Sequence, residues 1–156
     1  MSTLTHREGD LFGTEARALG HGVNTHGVMG AGIAAQFKRN YPDMYKEYSI
    51  YCKNSPGLIP GSVFVWKYKN HFMDDYEYVI NLATQDSPGP NAKIEWVRES
   101  VQMALDFLSE EGVSVLALPR IGSGIGGLDQ DEVEAVLTEL AEASTVDIEL
   151  WTWNAN

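Results

Sequence analysis

The sequence predicts an α/β domain of three layers, with helices on both faces of a mixed, mostly parallel sheet. Three observations predict it. Short apolar, β-rich runs alternate with amphipathic helical spacings along the chain. One hairpin interrupts the alternation and supplies an antiparallel pair. Two glycine-rich loops each follow a strand, the place where open α/β sheets hold ligands. The 156 residues fit one domain over 1–156, with no internal repeat, low-complexity segment or interdomain linker.

Taken in order, Leu4 to Phe12 reads as a first strand ending at Gly9-Asp10-Leu11-Phe12, where Asp10 suits a turn or a helix cap. Ala18 to Asn24 is the second strand. A helix from about Ala31 to Arg39 places Ile33, Ala34 and Phe37 on one face, and Pro42 breaks it. Asp43 to Lys53 carries Met44, Tyr45, Tyr48, Tyr51 and Cys52 at helical spacing, a stripe read as core. After a loop punctuated by Pro56-Gly57 and Pro60-Gly61, Ser62 to Tyr68 and Tyr76 to Ala83 form the hairpin, joined by the polar stretch Lys69 to Asp75.

Asn91 is the expected N-cap of a helix running to about Glu111, with Val97, Val101, Leu105 and Leu108 on its apolar face and Gly112 as its C′ residue. Val113 to Pro119 is short, apolar and bounded by turn residues, so it reads as a buried strand. Asp129 and Glu132 have capping-box spacing ahead of a helix faced by Val133, Val136, Leu137 and Leu140. Thr145 to Trp153 is the last strand.

Composition narrows the function. The formal net charge of −11 argues against broad, non-specific binding to nucleic acid, which requires a basic face. It leaves room for a small anionic ligand, because charges beyond ~8 Å are largely screened at physiological salt. The single cysteine, Cys52, cannot form an internal disulfide and fits a reducing compartment. No basic-then-apolar leader and no long apolar run is present, so the expectation is a cytoplasmic protein without a membrane partner. His6, His21, His26 and His71 show no ligand spacing among themselves or with Cys52, so no metal or other cofactor is expected.

The chemistry is carried by the two loops. Asn24-Thr25-His26-Gly27-Val28-Met29-Gly30-Ala31-Gly32-Ile33 runs from a strand end into a helix. Its glycines leave bare N–H groups where the helix dipole is positive, which favours a phosphate or other anion. Arg120-Ile121-Gly122-Ser123-Gly124-Ile125-Gly126-Gly127 again leads from a strand toward a helix, so the two loops together suggest a cleft gripping one anionic ligand from both sides. Known nucleotide motifs do not explain them. Gly30-Ala31-Gly32-Ile33-Ala34-Ala35 fits G-x-G-x-x-A, but no acidic strand end follows about 20 residues later. The second loop lacks the Lys-Ser or Lys-Thr pair of a P-loop.

Four ordered blocks resemble the macrodomain family across nearly the whole chain: Gly9-Asp10-Leu11-Phe12, Asn24 with Gly27 to Ala34, Asn81-Leu82-Ala83-Thr84-Gln85, and Leu118-Pro119-Arg120-Ile121-Gly122-Ser123-Gly124. The branch they resemble holds the terminal ADP-ribose protein glycohydrolase, the DNA ADP-ribosyl glycohydrolase antitoxins and the yeast-type ADP-ribose 1″-phosphate phosphatase. The resemblance implies ADP-ribose as ligand. It gives Asp10 and Leu11 to the adenine end, and Met29, Gly30, Ala31, Gly32 and Ile33 to the distal ribose and diphosphate. Ser123, Gly124, Ile125, Gly126 and Gly127 are implied to hold the diphosphate through backbone N–H groups. Asn24 is placed at the distal ribose beside the scissile C1″ bond, and Trp151 or Trp153 beside the adenine.

Two positions depart from the pattern. Hydrolases of this branch use a lysine where this chain has Gln85, and the protein-directed enzyme uses an aspartate where it has Gly126. A lysine-adduct route is therefore closed. The expected activity is a slow ADP-ribosyl hydrolase that removes mono-ADP-ribose from acidic protein side chains, with nucleobase adducts as the second choice. Asn24 and Gln85 would fix the ribose and a water that the ligand's own diphosphate orients, without the ~10² to 10⁴-fold gain of a dedicated base. The alternatives are a non-catalytic ADP-ribose reader and, third, an ADP-ribose 1″-phosphate phosphatase. His21, His26 and Asp86 are read as fold or surface residues first and acid–base groups second. The expected partners are ADP-ribose, ADP-ribosylated proteins and ADP-ribosylated nucleic acid, met by a monomer.

Overall fold

A computed structural model of the chain describes residues 2–70, 72, 75–122 and 126–153. The elements follow in the order β1 (Leu4–Glu8), β2 (Ala18–Val23), α1 (Gly32–Asn40), α2 (Pro42–Lys53), β3 (Val63–Asn70), β4 (Asp75–Ala83), α3 (Ile94–Glu110), β5 (Val115–Leu118), α4 (Gln130–Glu142) and β6 (Asp147–Thr152). They build one six-stranded sheet in the order β1-β6-β5-β2-β4-β3. β1, β6, β5, β2 and β4 pair in parallel. β3 alone runs antiparallel, on β4, as the sequence's single hairpin requires.

The strands alternate their side chains between two cores. On β4, Tyr78, Ile80 and Leu82 meet Val97, Val101 and Leu105 of α3 and Val133, Leu137 and Leu140 of α4 in one apolar cluster. Val79 and Ala83, facing the other way, join Leu19 and Val23 of β2, Phe37 of α1, and Met44 and Tyr48 of α2. The expected three layers are thus in place, with α3 and α4 covering one face and α1 and α2 the other. The stripe on α2 read as core divides accordingly: Met44 and Tyr48 are fully buried, while Tyr51 is 41% exposed.

Three local expectations change. The first strand stops at Glu8, because the Asp10 carboxylate accepts from the N–H of Phe12 (3.0 Å) and caps a one-turn 3-10 helix over Leu11–Gly13. The N-cap of α3 is Lys93, without a side-chain cap bond, and not Asn91. The Asn91 amide is committed to its own loop, where Oδ1 accepts from the N–H groups of Asp86 (3.0 Å) and Ser87 (3.2 Å). The hairpin connection is shorter than read, since β3 extends to Asn70 and β4 begins at Asp75. Other ends match. Gly112 takes a positive φ, and the N–H groups of Gly112 and Val113 close on Ser109 and Leu108 as a helix-ending motif requires. Asp129 caps α4 by accepting from Asp131 N–H (3.2 Å).

Candidate functional site

All five parallel strands end on the same side of the sheet, and the segments following β2, β4 and β5 enclose a cavity of about 380 Å³ there. That volume lies in the ~300–1,000 Å³ range of small-molecule sites. The β2 segment contributes Gly22, Val23 and Asn24, then Val28 to Ala34. The β4 segment contributes Thr84, Gln85, Pro88 and Gly89, and the β5 segment Pro119 to Gly122 and Gly126.

The first glycine loop does what its sequence promised. α1 opens at Gly32 directly on the cavity wall, and its N-cap, Ala31, makes no side-chain cap bond. The N–H groups of the first turn therefore lack the side-chain acceptor that usually covers a helix start, and the dipole's positive end meets the cavity. Gly32 has a φ of +61°, a left-handed turn that glycine takes without a Cβ penalty.

The described part of the second loop is arranged differently. α4 begins at Gln130, three residues beyond Gly127, and its first turn is closed by Asp129 rather than left for a ligand. No described residue of α4 lines the cavity. Among the described residues one helix start, that of α1, faces the cavity, and α4 does not supply the second one that the sequence suggested. Gly127 is also outside the cavity: it is exposed, and a Cβ there would lie 3.1 Å from Pro90 Cβ. Ser123, Gly124 and Ile125 fall outside the described residues, and Gly126 lines the wall.

Asn24 is 9% exposed and almost fully spent on its surroundings. Its Oδ1 accepts from His26 N–H (2.9 Å) and from the Tyr48 hydroxyl (3.2 Å), and its Nδ2 donates to the carbonyl of Val28 (2.9 Å). A side-chain amide has two donors and two acceptor sites, so one N–H is left for the cavity. Gln85 is the complement. Its Nε2 donates to the carbonyls of Ser87 (2.7 Å) and Gly89 (2.9 Å), which leaves Oε1 as its remaining polar group. That oxygen lies 3.4 Å from where a Cβ on Gly126 would sit. The two residues expected to be catalytic thus line one cavity as a neutral donor and a neutral acceptor. The donors of Gln85 are engaged in holding its own loop, an engagement its position in the motif did not announce.

The loop carrying Gln85 is tightly cross-bonded. Besides its two accepted bonds, Asn91 donates from Nδ2 to Ser87 O (2.7 Å). Thr25 ties this loop to the first one, through its N–H (3.0 Å) and hydroxyl (2.8 Å) to the carbonyl of Asp86.

The polar character of the lining is unusual for so acidic a chain. Among the described residues Arg120 is the one charged residue lining it, and its guanidinium turns to Glu134 (2.7 Å) and Thr152 Oγ1 (3.3 Å). None of the described lining residues is a carboxylate. The floor is formed where Gly22 passes Thr84: a Cβ on Gly22 would lie 2.7 Å from Thr84 Oγ1, a buried hydroxyl without a hydrogen-bond partner among the described residues.

Besides Gly127, four expected ligand residues do not line the cavity. Asp10 is exposed and caps the 3-10 turn, and the Leu11 side chain is buried in the α1/α2 core. Trp151 is half-buried against that core with its Nε1 donating to Glu149 (3.0 Å), while Trp153 is 66% exposed. All four sit at the ends of β1 and β6, on the flank of the sheet beyond β5. The spare acid–base candidates fall away too. His26 and Asp86 are exposed and outside the lining. His21 is fully buried, stacked on Phe37 at 3.8 Å and bonded through Nε2 to Asn81 Oδ1 (2.7 Å). Asn81 donates from its own amide to Phe64 O (3.1 Å), so the imidazole is the donor in that pair, and burial lowers its pKa to about 4.

Sequence reading missed the floor residues Gly22 and Thr84, and the supports Tyr48 and Asn91. Tyr48 was one of five residues in an apolar stripe. Its hydroxyl donates to the Asn24 carbonyl (2.7 Å) as well as to Asn24 Oδ1, a contact that no spacing along α2 encodes.

Comparison with known proteins decides the family. A sequence profile of the macro domain matches residues 21–137, three quarters of the chain. The chain belongs to the macrodomain family. The solved macrodomain of Thermus aquaticus DarG superposes with a TM-score of 0.84 at 32% identity, over 99% of both chains. Among curated relatives, the DNA ADP-ribosyl glycohydrolase of Thermus aquaticus is 34% identical over 145 residues, 93% of this chain. The ADP-ribose 1″-phosphate phosphatase of Lodderomyces elongisporus is 32% identical over 154 residues, 88% of this chain and 92% of its own length. This macrodomain spans only 39% of the Thermus relative's length. The resemblance seen in the four sequence blocks, and the mixed α/β/α fold it implied, both stand.

Proposed function

We propose that this macrodomain binds ADP-ribose and hydrolyses the bond at C1″ of mono-ADP-ribosyl groups, with esters of acidic protein side chains as its substrates. One observation carries the reading: a helix start without a side-chain cap, a single N–H of Asn24 and the oxygen of Gln85 line a cavity without carboxylates among the described residues. The α1 amides would take the diphosphate. Asn24 would donate to a hydroxyl of the distal ribose. Gln85 Oε1 would accept from a water aimed at C1″. Cleavage transfers that water's oxygen to C1″, releases the protein carboxylate, and leaves the water's proton to the diphosphate or to solvent.

A carboxylate departs readily, which suits a site whose described lining offers no titratable acid or base except the ion-paired Arg120. Nucleobase adducts are poorer leaving groups, and the acidic exterior works against a polyanionic substrate. The lone, half-buried Cys52 fits a reducing cytoplasm as the setting. A second reading, an ADP-ribose reader, is favoured by one specific observation: both donors of Gln85 are already occupied. Incubation with Glu-linked ADP-ribosylated protein, ADP-ribosylated DNA and ADP-ribose 1″-phosphate separates the readings. Release from the protein substrate is expected. Binding of ADP-ribose with all three substrates left intact would make the domain a reader.

A further inference from the structure

We infer that Tyr48 is a positioning residue of this site, acting through Asn24; the inference rests on the ADP-ribose reading above. Tyr48 comes from α2, is absent from the cavity lining, and is fully buried. Its single hydroxyl hydrogen is shared between two oxygens of one residue, the Asn24 carbonyl at 2.7 Å and the Asn24 amide oxygen at 3.2 Å. That arrangement fastens the side chain of Asn24 to its own backbone. His26 N–H and Val28 O complete the lock and exclude the flipped amide, which would set Oδ1 against a carbonyl and Nδ2 against an N–H. What remains is one amide hydrogen held in a fixed direction.

Two further facts support a built device over incidental packing. A second hydroxyl from the same helix, that of Tyr45, donates to Gly27 O (3.2 Å), so α2 grips the loop at both ends of the Asn24–Gly27 turn. Burial, with the neighbouring Cys52 adding to it, pushes the Tyr48 phenol far above its ordinary pKa, so it stays a donor at every working pH. A phenylalanine would fill the same space and lose only this function.

The test compares two ligands, ADP-ribose and ADP, which lacks the distal ribose. Titration calorimetry on the wild type, Tyr48→Phe, Asn24→Ala and the double variant gives an ADP-ribose:ADP affinity ratio for each. Tyr48→Phe is expected to cut that ratio about fivefold, as loss of one modest hydrogen bond implies, and to leave ADP affinity unchanged. On an Asn24→Ala background the same change should do nothing further. A general structural defect would weaken both ligands alike. An unchanged ratio in a folded Tyr48→Phe protein overturns the inference while the function stands. A wild type that does not bind ADP-ribose overturns the function and this inference with it. Should Tyr48→Phe fail to fold, the wild-type side-chain amide resonances of Asn24 decide. One of its two protons should shift with ADP-ribose and not with ADP, and equal responses of both protons would refute the lock.

Discussion

His21 makes the stability of this macrodomain depend on pH in a direction opposite to that of its overall charge. The imidazole is fully buried, and its Nδ1 has no partner among the described residues. Protonation would place an N–H there with no acceptor, so the folded state holds the ring neutral with a pKa lowered from 6.5 to about 4 by burial. The unfolded chain binds the proton first, between these two values. Stability from this residue is therefore complete above pH 6.5, falls as pH drops, and is exhausted near pH 4. At pH 5 the loss is about 2 kcal/mol, and at the acid limit about 3 kcal/mol. Relief of the −11 net charge acts the other way on acidification, so the raw profile mixes the two. The contrast with His21→Gln, which keeps an amide donor for Asn81, isolates the term. Thermal melts from pH 7.5 to 5 should show the wild type losing about 4–8 °C more than the variant, given ~2–4 °C per kcal/mol at this size. Parallel profiles for the two proteins would refute the claim that burial keeps this histidine neutral.

Three further outcomes follow from the cavity's construction. Gln85→Ala removes one donor each from the carbonyls of Ser87 and Gly89, which keep their bonds from Asn91, so it should cost about 1 kcal/mol and speed amide exchange across residues 86–91; unchanged exchange would show that Gln85 does not brace the loop. Gly22→Ala drives a Cβ to within 2.7 Å of Thr84 Oγ1 on a stiff β-branched side chain, and should lose about 1–3 kcal/mol in denaturant melts, with wild-type stability as the contrary result. Asn24→Ala removes the one N–H left for the cavity and should weaken ADP-ribose binding about tenfold in calorimetry, while wild-type affinity would remove Asn24 from the site.

What the sequence revealed and what it hid divide along a physical line. Periodicity reports which side of an element meets apolar neighbours, so the two cores and the helix faces were legible from Val97, Val101, Phe37 and Met44. Glycine spacing reports where the backbone is free, and that located the first loop. It does not report where the freed N–H groups point. The second loop shows the gap: its glycines suggested a second helix start open to the cavity, yet Asp129 caps α4, and Gly127 lies outside the lining beside Pro90. Polar side chains were the hardest to read, because an amide's partners lie far off in sequence or fold back into its own loop. Asn91 looked like a helix cap and is a loop brace; Gln85 looked like a vacant lysine position and is also a brace.

The same line explains how an acidic chain keeps a cleft fit for an anion. None of its described carboxylates lines the cavity, and water screens the exposed ones. The cavity is built from strand ends and short loops, whose polar groups are mostly backbone and amide. Neutral dipoles held in place by Tyr48, His26 and the loop carbonyls need not pay to be charged in the dry interior, and they do not reorganise when a ligand arrives. Under the proposed function, selectivity for a diphosphate over other anions would rest on the fixed direction of a few N–H groups. Substitutions that loosen those directions should therefore harm recognition more than substitutions that alter surface charge.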